Sequence, residues 1–306
     1  MRPVPYELLA GVALDLCLGD PRWLPHPIRA LGRVIERVEA AWRATGLKLR
    51  VAGALFWFTV MTVATGFVVV STLLIPRPYS YVYWIYALLA IRDLDFQSWR
   101  VITAVHAGDL AAARERLSWI VGRDTISLDE PEIVRAAIET VAENLSDAVV
   151  APLFYLALAG PVGMAAYKAA NTMDSMAGYR NERYRDFGWF AARADDLANF
   201  IPARITAALV CLCALLPGFR FRDAVRVTLR DGGSQPSPNA GWPEAAAAGA
   251  LGVQLGGVNY YHGNASAKPY LGDPSEPLTA GIFPKVRLML YATSAVALAF
   301  VVGSIA

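Results

Sequence analysis

Residues 51–75 run for 25 positions without a charged side chain. As a helix, that run is long enough to cross a hydrocarbon core of about 30 Å. In lipid, every backbone polar group must be satisfied within the segment, so a helix is the form open to it. A second uncharged run, 288–306, closes the chain. Segments 78–91 and 205–219 are shorter. Segment 148–167 is apolar but broken by Pro152 and by Gly160-Pro161, and 242–261 is a weaker alanine- and glycine-rich candidate. Hydrophobic residues make up 56% of the 306 and charged residues 18%, respectively above and below the norm for soluble proteins. These features predict an all-α, polytopic integral membrane protein with four to six membrane segments and cytoplasm-facing amphipathic or re-entrant helices. They also predict a single membrane-embedded domain spanning 1–306.

The first apolar stretch carries Glu7 and Asp15 and shows no small-residue cleavage site, so insertion is expected to use the internal spans. The formal charge of +2 says little, but its distribution says more. Arg22, Arg29, Arg33, Arg37, Arg43, Lys48 and Arg50 face only Glu36 and Glu39, and the positive-inside bias assigns this loop to the cytoplasm. Residues 28–44 place Ile28, Leu31, Ile35, Val38 and Trp42 at helical spacing with arginines between them, the pattern of an amphipathic helix. No basic stripe interleaved with aromatics points to nucleic acid. Cys17, Cys211 and Cys213 match no zinc or redox spacing, and His26, His106 and His262 are too scattered for a local metal motif. Asp109 is positioned to cap one helix, and Asp129-Glu130-Pro131-Glu132 to start the next.

That second helix carries Glu139, Glu143 and Asp147 at four-residue intervals, on one face. Like charges so placed need a proton, a cation or arginines. The functional reading is Mg²⁺ shared with substrate phosphates; the structural one is salt bridging to Arg123 or Arg135. Asn144 adds an amide for a substrate carboxylate or amide. Asn171, Asp174, Ser175 and Gly178 repeat a helical spacing, with Asp174 the candidate metal ligand or electrostatic partner. Helix packing through small and polar residues is the alternative. Arg180, Arg183 and Arg185 offer forked donors for phosphate or carboxylate, or else an interfacial anchor. Asp195, Asp196 and Asn199 read as an acidic turn, with Arg204 at the mouth of the next apolar run. Residues 231–241 read as a loop with no ATP-binding glycine motif. Together, acidic metal-type and basic anion-type groups predict phosphoryl or acyl transfer onto a bulky charged molecule. A transporter of a charged metabolite is the competing class.

Over nearly its whole length the chain resembles the adenosylcobinamide-phosphate synthases of cobalamin biosynthesis, multi-pass inner-membrane proteins. The resemblance rests on Asp15 to Pro21 with His26-Pro27, Gly122-Arg123-Asp124-Thr125, Glu139 to Asn144 with Asp147, Pro152 to Phe154, and Asn171-Thr172-Met173-Asp174-Ser175. It continues through Gly178-Tyr179, Asn181 to Tyr184, Phe187 to Trp189, Ala194 to Asp196, Asn199, Ile201 to Arg204, Asp231 to Ser234, Pro238 to Glu244, and Gly272-Asp273. It implies joining aminopropanol, free or phosphorylated, to a propionate carboxylate of adenosylcobyric acid, with ATP as co-substrate, Mg²⁺ as cofactor and the corrinoid as substrate. It implies a lipid bilayer as surroundings, leaves a homo-oligomer open, and makes a corrinoid the cargo of the competing transporter reading. Chemistry then assigns Glu139, Glu143, Asp174 and Arg183 to catalysis. Glu143, Asp147 and Asp174 are assigned to the metal. Arg123, Asn144, Asn171, Arg180, Asp195, Asp196, Asn199 and Arg204 are assigned to phosphate, carboxylate or corrin-rim amides.

Overall fold

The computed structural model describes residues 2–21, 23, 25–179, 181–261 and 263–305. The chain is almost entirely α-helical. Its helices run α1 (Pro5–Leu18), α2 (Pro27–Arg43), α3 (Leu49–Leu74), α4 (Tyr79–Leu88), α5 (Ile91–His106), α6 (Leu110–Ser118) and α7 (Glu130–Leu145). After a π-helical turn, Ser146–Val150, come α8 (Ala151–Ala177), α9 (Trp189–Cys213), α10 (Phe221–Asp231) and α11 (Gly241–Leu251). A hairpin of β1 (Leu255–Tyr261) and β2 (Asn264–Leu271) precedes α12 (Phe283–Ile305). Among the described residues, four helical stretches are long and apolar enough to cross a membrane: Leu49–Leu74, Glu130–Ala177, Trp189–Cys213 and Ala280–Ile305. The chain is a polytopic membrane protein, and its four spans fall within the expected number.

Two predicted segments come out differently. Residues 78–91 hold only the 10-residue α4, too short to cross a bilayer. Residues 242–261 divide into the buried 11-residue α11 and a β-strand. Gly252, left-handed at φ 73°, closes α11. Gly256 and Gly257, at φ 83° and 85°, then begin the strand beside a bulge.

The chain divides into two compact units. The first comprises Met1–Ala90, Ala151–Asn199 and Leu298–Ala306. Its core joins α2, α3, α8 and α9 through Ile35, Phe56, Val60, Met173, Phe187 and Ala191. Gly53 lets the Phe187 carbonyl lie where a Cβ would stand. His26 caps α2: its Nδ1 accepts from the Ile28 amide at 3.3 Å. The ring proton therefore sits on Nε2, 3.1 Å from Asp20. Glu7, fully buried in α1, is held by two hydrogen bonds from Arg77 at 2.9 and 2.5 Å. α8 is bent at Ala159 and Gly160, just before Pro161.

The second unit comprises Ile91–Val150 and Phe200–Ala297. Asp109 caps α6 through the Ala112 amide at 2.9 Å. Asp129 and Glu132 form a reciprocal capping box on α7, both bonds 3.0 Å. α7 packs against α5, α6, α11 and β1. Asp95 in α5 accepts two hydrogen bonds from Arg287, at 2.6 and 2.8 Å, and one from the Tyr291 hydroxyl at 2.8 Å.

Candidate functional site

The second unit gathers a cluster of mixed charge from α7, α11 and the hairpin. Strand alternation sets the hairpin's share of it. Gly257 pairs with Lys268 and Asn259 with Ser266, so these four residues share one face of the hairpin. Val258 and Tyr260, on the other face, are exposed, whereas Asn259 is 1% exposed. The buried face meets α7. Arg135 donates to the Asn259 side-chain oxygen at 3.3 Å and to the Val258 carbonyl at 3.2 Å. Arg123 donates to the same Asn259 oxygen at 2.7 Å and to Glu139. The other Glu139 oxygen accepts from the Gly256 amide at 2.8 Å. The segment carrying Arg123 is itself fixed to the hairpin, with the Asp124 amide on the Tyr260 carbonyl at 2.8 Å and the Asp124 carboxylate on the Gly263 amide at 2.7 Å.

One turn beyond Glu139 stands Glu143, with Lys268, Glu139 and Arg123 in electrostatic reach. Glu143 is exposed, unlike the buried Glu139. Glu244 enters from α11 and is 2% exposed. Burial pushes its carboxyl well above the ordinary carboxylate range, and the nearby carboxylates of Glu143 and Glu139 push the same way. Lys268 and Arg123 oppose them. The cluster thus offers three cations, Arg123, Arg135 and Lys268, against three acids.

The remaining candidates are distributed as follows. Asn144 donates to the Thr140 carbonyl of its own helix at 3.0 Å, and Asp147 sits half-buried in the π-helical turn. Such turns recur at functional sites. Arg204 lies over the Phe200 ring at 3.6 Å and donates to Asn239 and Pro238 at 3.2 and 3.3 Å, tying down the loop before α11. In the first unit, Asp195 accepts from Asn171 at 3.4 Å and from Asn199 at 3.1 Å, and Tyr167 donates to Asn199 at 2.8 Å. These groups and Asp196 lie within α9 and α8, not in the turn predicted for the acids; Asp196 pairs with Arg193 at 3.5 Å. Asp174 packs its carboxylate against Gly178. Arg183 donates to Glu39 at 3.1 Å, a carboxylate also engaged by Arg43 and Tyr184. Arg180 lies outside the described residues.

A protein-family profile described as CobD/Cbib protein matches residues 8–289. The chain belongs to the CobD/Cbib family. A cobalamin biosynthesis protein CobD of Geobacter metallireducens is 50% identical over 299 residues, covering 92% of this chain and 91% of that one. The protein of that name from Pelobacter propionicus is 46% identical over 300 residues, 96% and 93% of the two chains. The one from Klebsiella pneumoniae is 40% identical over 299 residues, 95% and 94%. No solved structure matches. Family membership assigns this CobD/Cbib protein to cobalamin biosynthesis.

Among its described residues, no three His, Cys, Asp or Glu side chains gather as a metal-binding group. Mg²⁺ differs from zinc in needing only one or two carboxylates where phosphates and waters complete its shell. Glu143, exposed in α7, and Asp147, four residues on in the π-helical turn, are the pair such a smaller donor set would draw on. Sequence reasoning did not single out Glu244, Asn259 or Lys268. The usable signal for Glu244 was a lone acid in an alanine-rich stretch with no charged neighbour from Ala245 to Gln254.

Proposed function

We propose that this CobD/Cbib-family chain forms an amide between aminopropanol, or its phosphate, and a propionate carboxylate of adenosylcobyric acid, using ATP. The observation that carries the reading is this cluster, where guanidinium and ammonium groups lie beside an exposed carboxylate. Amide formation from a carboxylate needs both signs of charge. The propionate oxygen first takes the terminal phosphoryl group of ATP, releasing ADP. The amine nitrogen then attacks the carbonyl carbon, the carbon–oxygen bond to phosphate breaks, and phosphate leaves as the nitrogen gives up a proton. Arg123, Arg135 and Lys268 bind the anionic oxygens and stabilise charge on the acyl group. Glu143 accepts the amine proton, directly or through water. Bound Mg²⁺, held by Glu143 and Asp147, would supply charge neutralisation on the phosphates. Burial favours the protonated form of Glu244, which suits it to a place where an ionised acid would repel the substrate. Asp174 and Arg183 are assigned parallel roles at the end of α8 and in the loop after it, with Asn171, Asp195 and Asn199 positioning corrin-rim amides.

The test is a reconstituted assay with purified protein, adenosylcobyric acid, ATP, Mg²⁺ and each amine, reading corrinoid mass and nucleotide product. The expected result is one amide per ATP consumed and no product without ATP. Glu143→Gln should lower kcat by about 10²-fold or more with the protein still folded, and Asp174→Ala should remove turnover. Corrinoid accumulation in sealed vesicles with no mass change would reject the reading in favour of transport.

A further inference from the structure

The Asn259 side chain cannot be flipped without placing an NH₂ group against two guanidiniums. Arg123 and Arg135 both donate to its oxygen, at 2.7 and 3.3 Å, and those groups have no acceptor to offer in return. The amide nitrogen is therefore fixed on the other side of the group. It is buried and has no hydrogen-bond partner among the described residues. A side chain 1% exposed with an unmet donor is costly to the fold, and native proteins keep few of them. The arginines need only the oxygen, which an aspartate would supply with added charge attraction. Their contacts account for the carbonyl half of Asn259 and leave the amino half unexplained.

The surroundings say what that donor suits. Asn259 shares its face of the hairpin with Lys268, and the two guanidiniums polarise the amide from its oxygen side, strengthening its N–H groups as donors. We propose that Asn259 is a substrate-binding residue, its amide nitrogen donating to a carboxylate oxygen of the acid substrate. This deepens the functional reading above and rests on it. The residue chooses between a carboxylate and its amidated product, since the product presents an N–H in place of one acceptor oxygen, and that N–H meets a donor.

Asn259→Asp separates this role from a structural one. It keeps an acceptor toward Arg123 and Arg135 but turns the amide donor into an anionic oxygen. The KM for adenosylcobyric acid should rise at least about tenfold, the size expected for losing a hydrogen bond to a charged group. The KM values for amine and ATP should hold, and the unfolding midpoint should stay level or rise. An unchanged KM for the acid in a folded variant overturns the proposal, because a donor serving only a trapped water or the fold would leave that constant alone. Wild-type protein labelled with ¹⁵N-asparagine gives a second measurement that needs no stable aspartate variant, its Asn259 signal assigned by loss in Asn259→Ser. The side-chain amide signal should shift when adenosylcobyric acid is added and stay put with aminopropanol alone. A signal indifferent to the acid also overturns the proposal. Wild-type protein that makes no amide would instead reject the functional reading itself.

Discussion

Arg123 and Glu139 are paired in the interior of the second unit, and Glu139 spends its other oxygen on the backbone of Gly256. Their side chains are 8% and 4% exposed, so neither charge has water to fall back on. Glu139→Ala should cost roughly 3 kcal/mol of stability, because it strands a buried guanidinium. Adding Arg123→Ala should give part of that back, as double variants do when the partners are coupled. Unfolding midpoints in detergent micelles measure both. Strictly additive losses would mean that the two side chains act independently.

Gly53 sits under the Phe187 carbonyl, with no room for a methyl group. Gly53→Ala gains helix propensity but forces α3 away from the core around Phe56 and Phe187. Overpacking of this kind costs about 1–3 kcal/mol, so the variant should melt earlier than wild type. Gly66→Ala on the same helix, where a Cβ meets nothing within 4 Å, should melt at or above the wild-type temperature.

Asp231 gives the fold an acid-sensitive joint. The Arg230 guanidinium beside it, with the Gly272 amide, holds its carboxyl below the ordinary carboxylate range despite partial burial. A depressed folded pKa stabilises the fold above the unfolded value of about 4, and the contribution fades as pH falls through the folded value. Asp231→Asn should therefore be less stable than wild type at pH 7, with the gap closing toward pH 3. Midpoints compared at the two pH values test this; a gap that ignores pH would show that the loss is one of shape alone.

Glu39 collects three donors, Arg43 at 2.8 Å, Arg183 at 3.1 Å and the Tyr184 hydroxyl at 3.3 Å. Glu39→Ala should release the segment after α8. Backbone amides from Asn181 to Gly188 should exchange hydrogen at least about tenfold faster, as expected when a locally stabilised opening loses its tie, while exchange in α5 stays unchanged. Equal protection in both segments would mean that the carboxylate does not anchor the loop.

Much of this architecture was legible because its causes are local. Asp109 and Asp129 announce their helices through bonds to amides three residues on, and the run at 51–75 declares its span by length alone. Local spacing likewise set Glu139 and Glu143 on a common face. It left a salt bridge to Arg123 or Arg135 as an open alternative, but could not show that Glu139 would be the acid so held, that its other oxygen would go to Gly256, 117 residues away, or that Glu143 would be left exposed. The hairpin was hidden for a related reason. Its strands carry glycines at the start and few β-branched residues, so only pairing between distant positions reveals them. Asp195, Asp196 and Asn199 looked like a turn because polar density was read as exposure. In α9, Asp195 and Asn199 meet Asn171 and Tyr167, while Asp196 pairs with Arg193 of its own helix.

Gly160 rests at φ 66° and ψ −160° in the middle of α8, backbone angles that glycine alone occupies without penalty. The bend is thus permitted by a missing carbon atom, and Pro161 beside it has no amide proton to give a straight helix. Any side chain placed at position 160 would work against the bend, so the shape of this long helix depends on an atom the sequence leaves out.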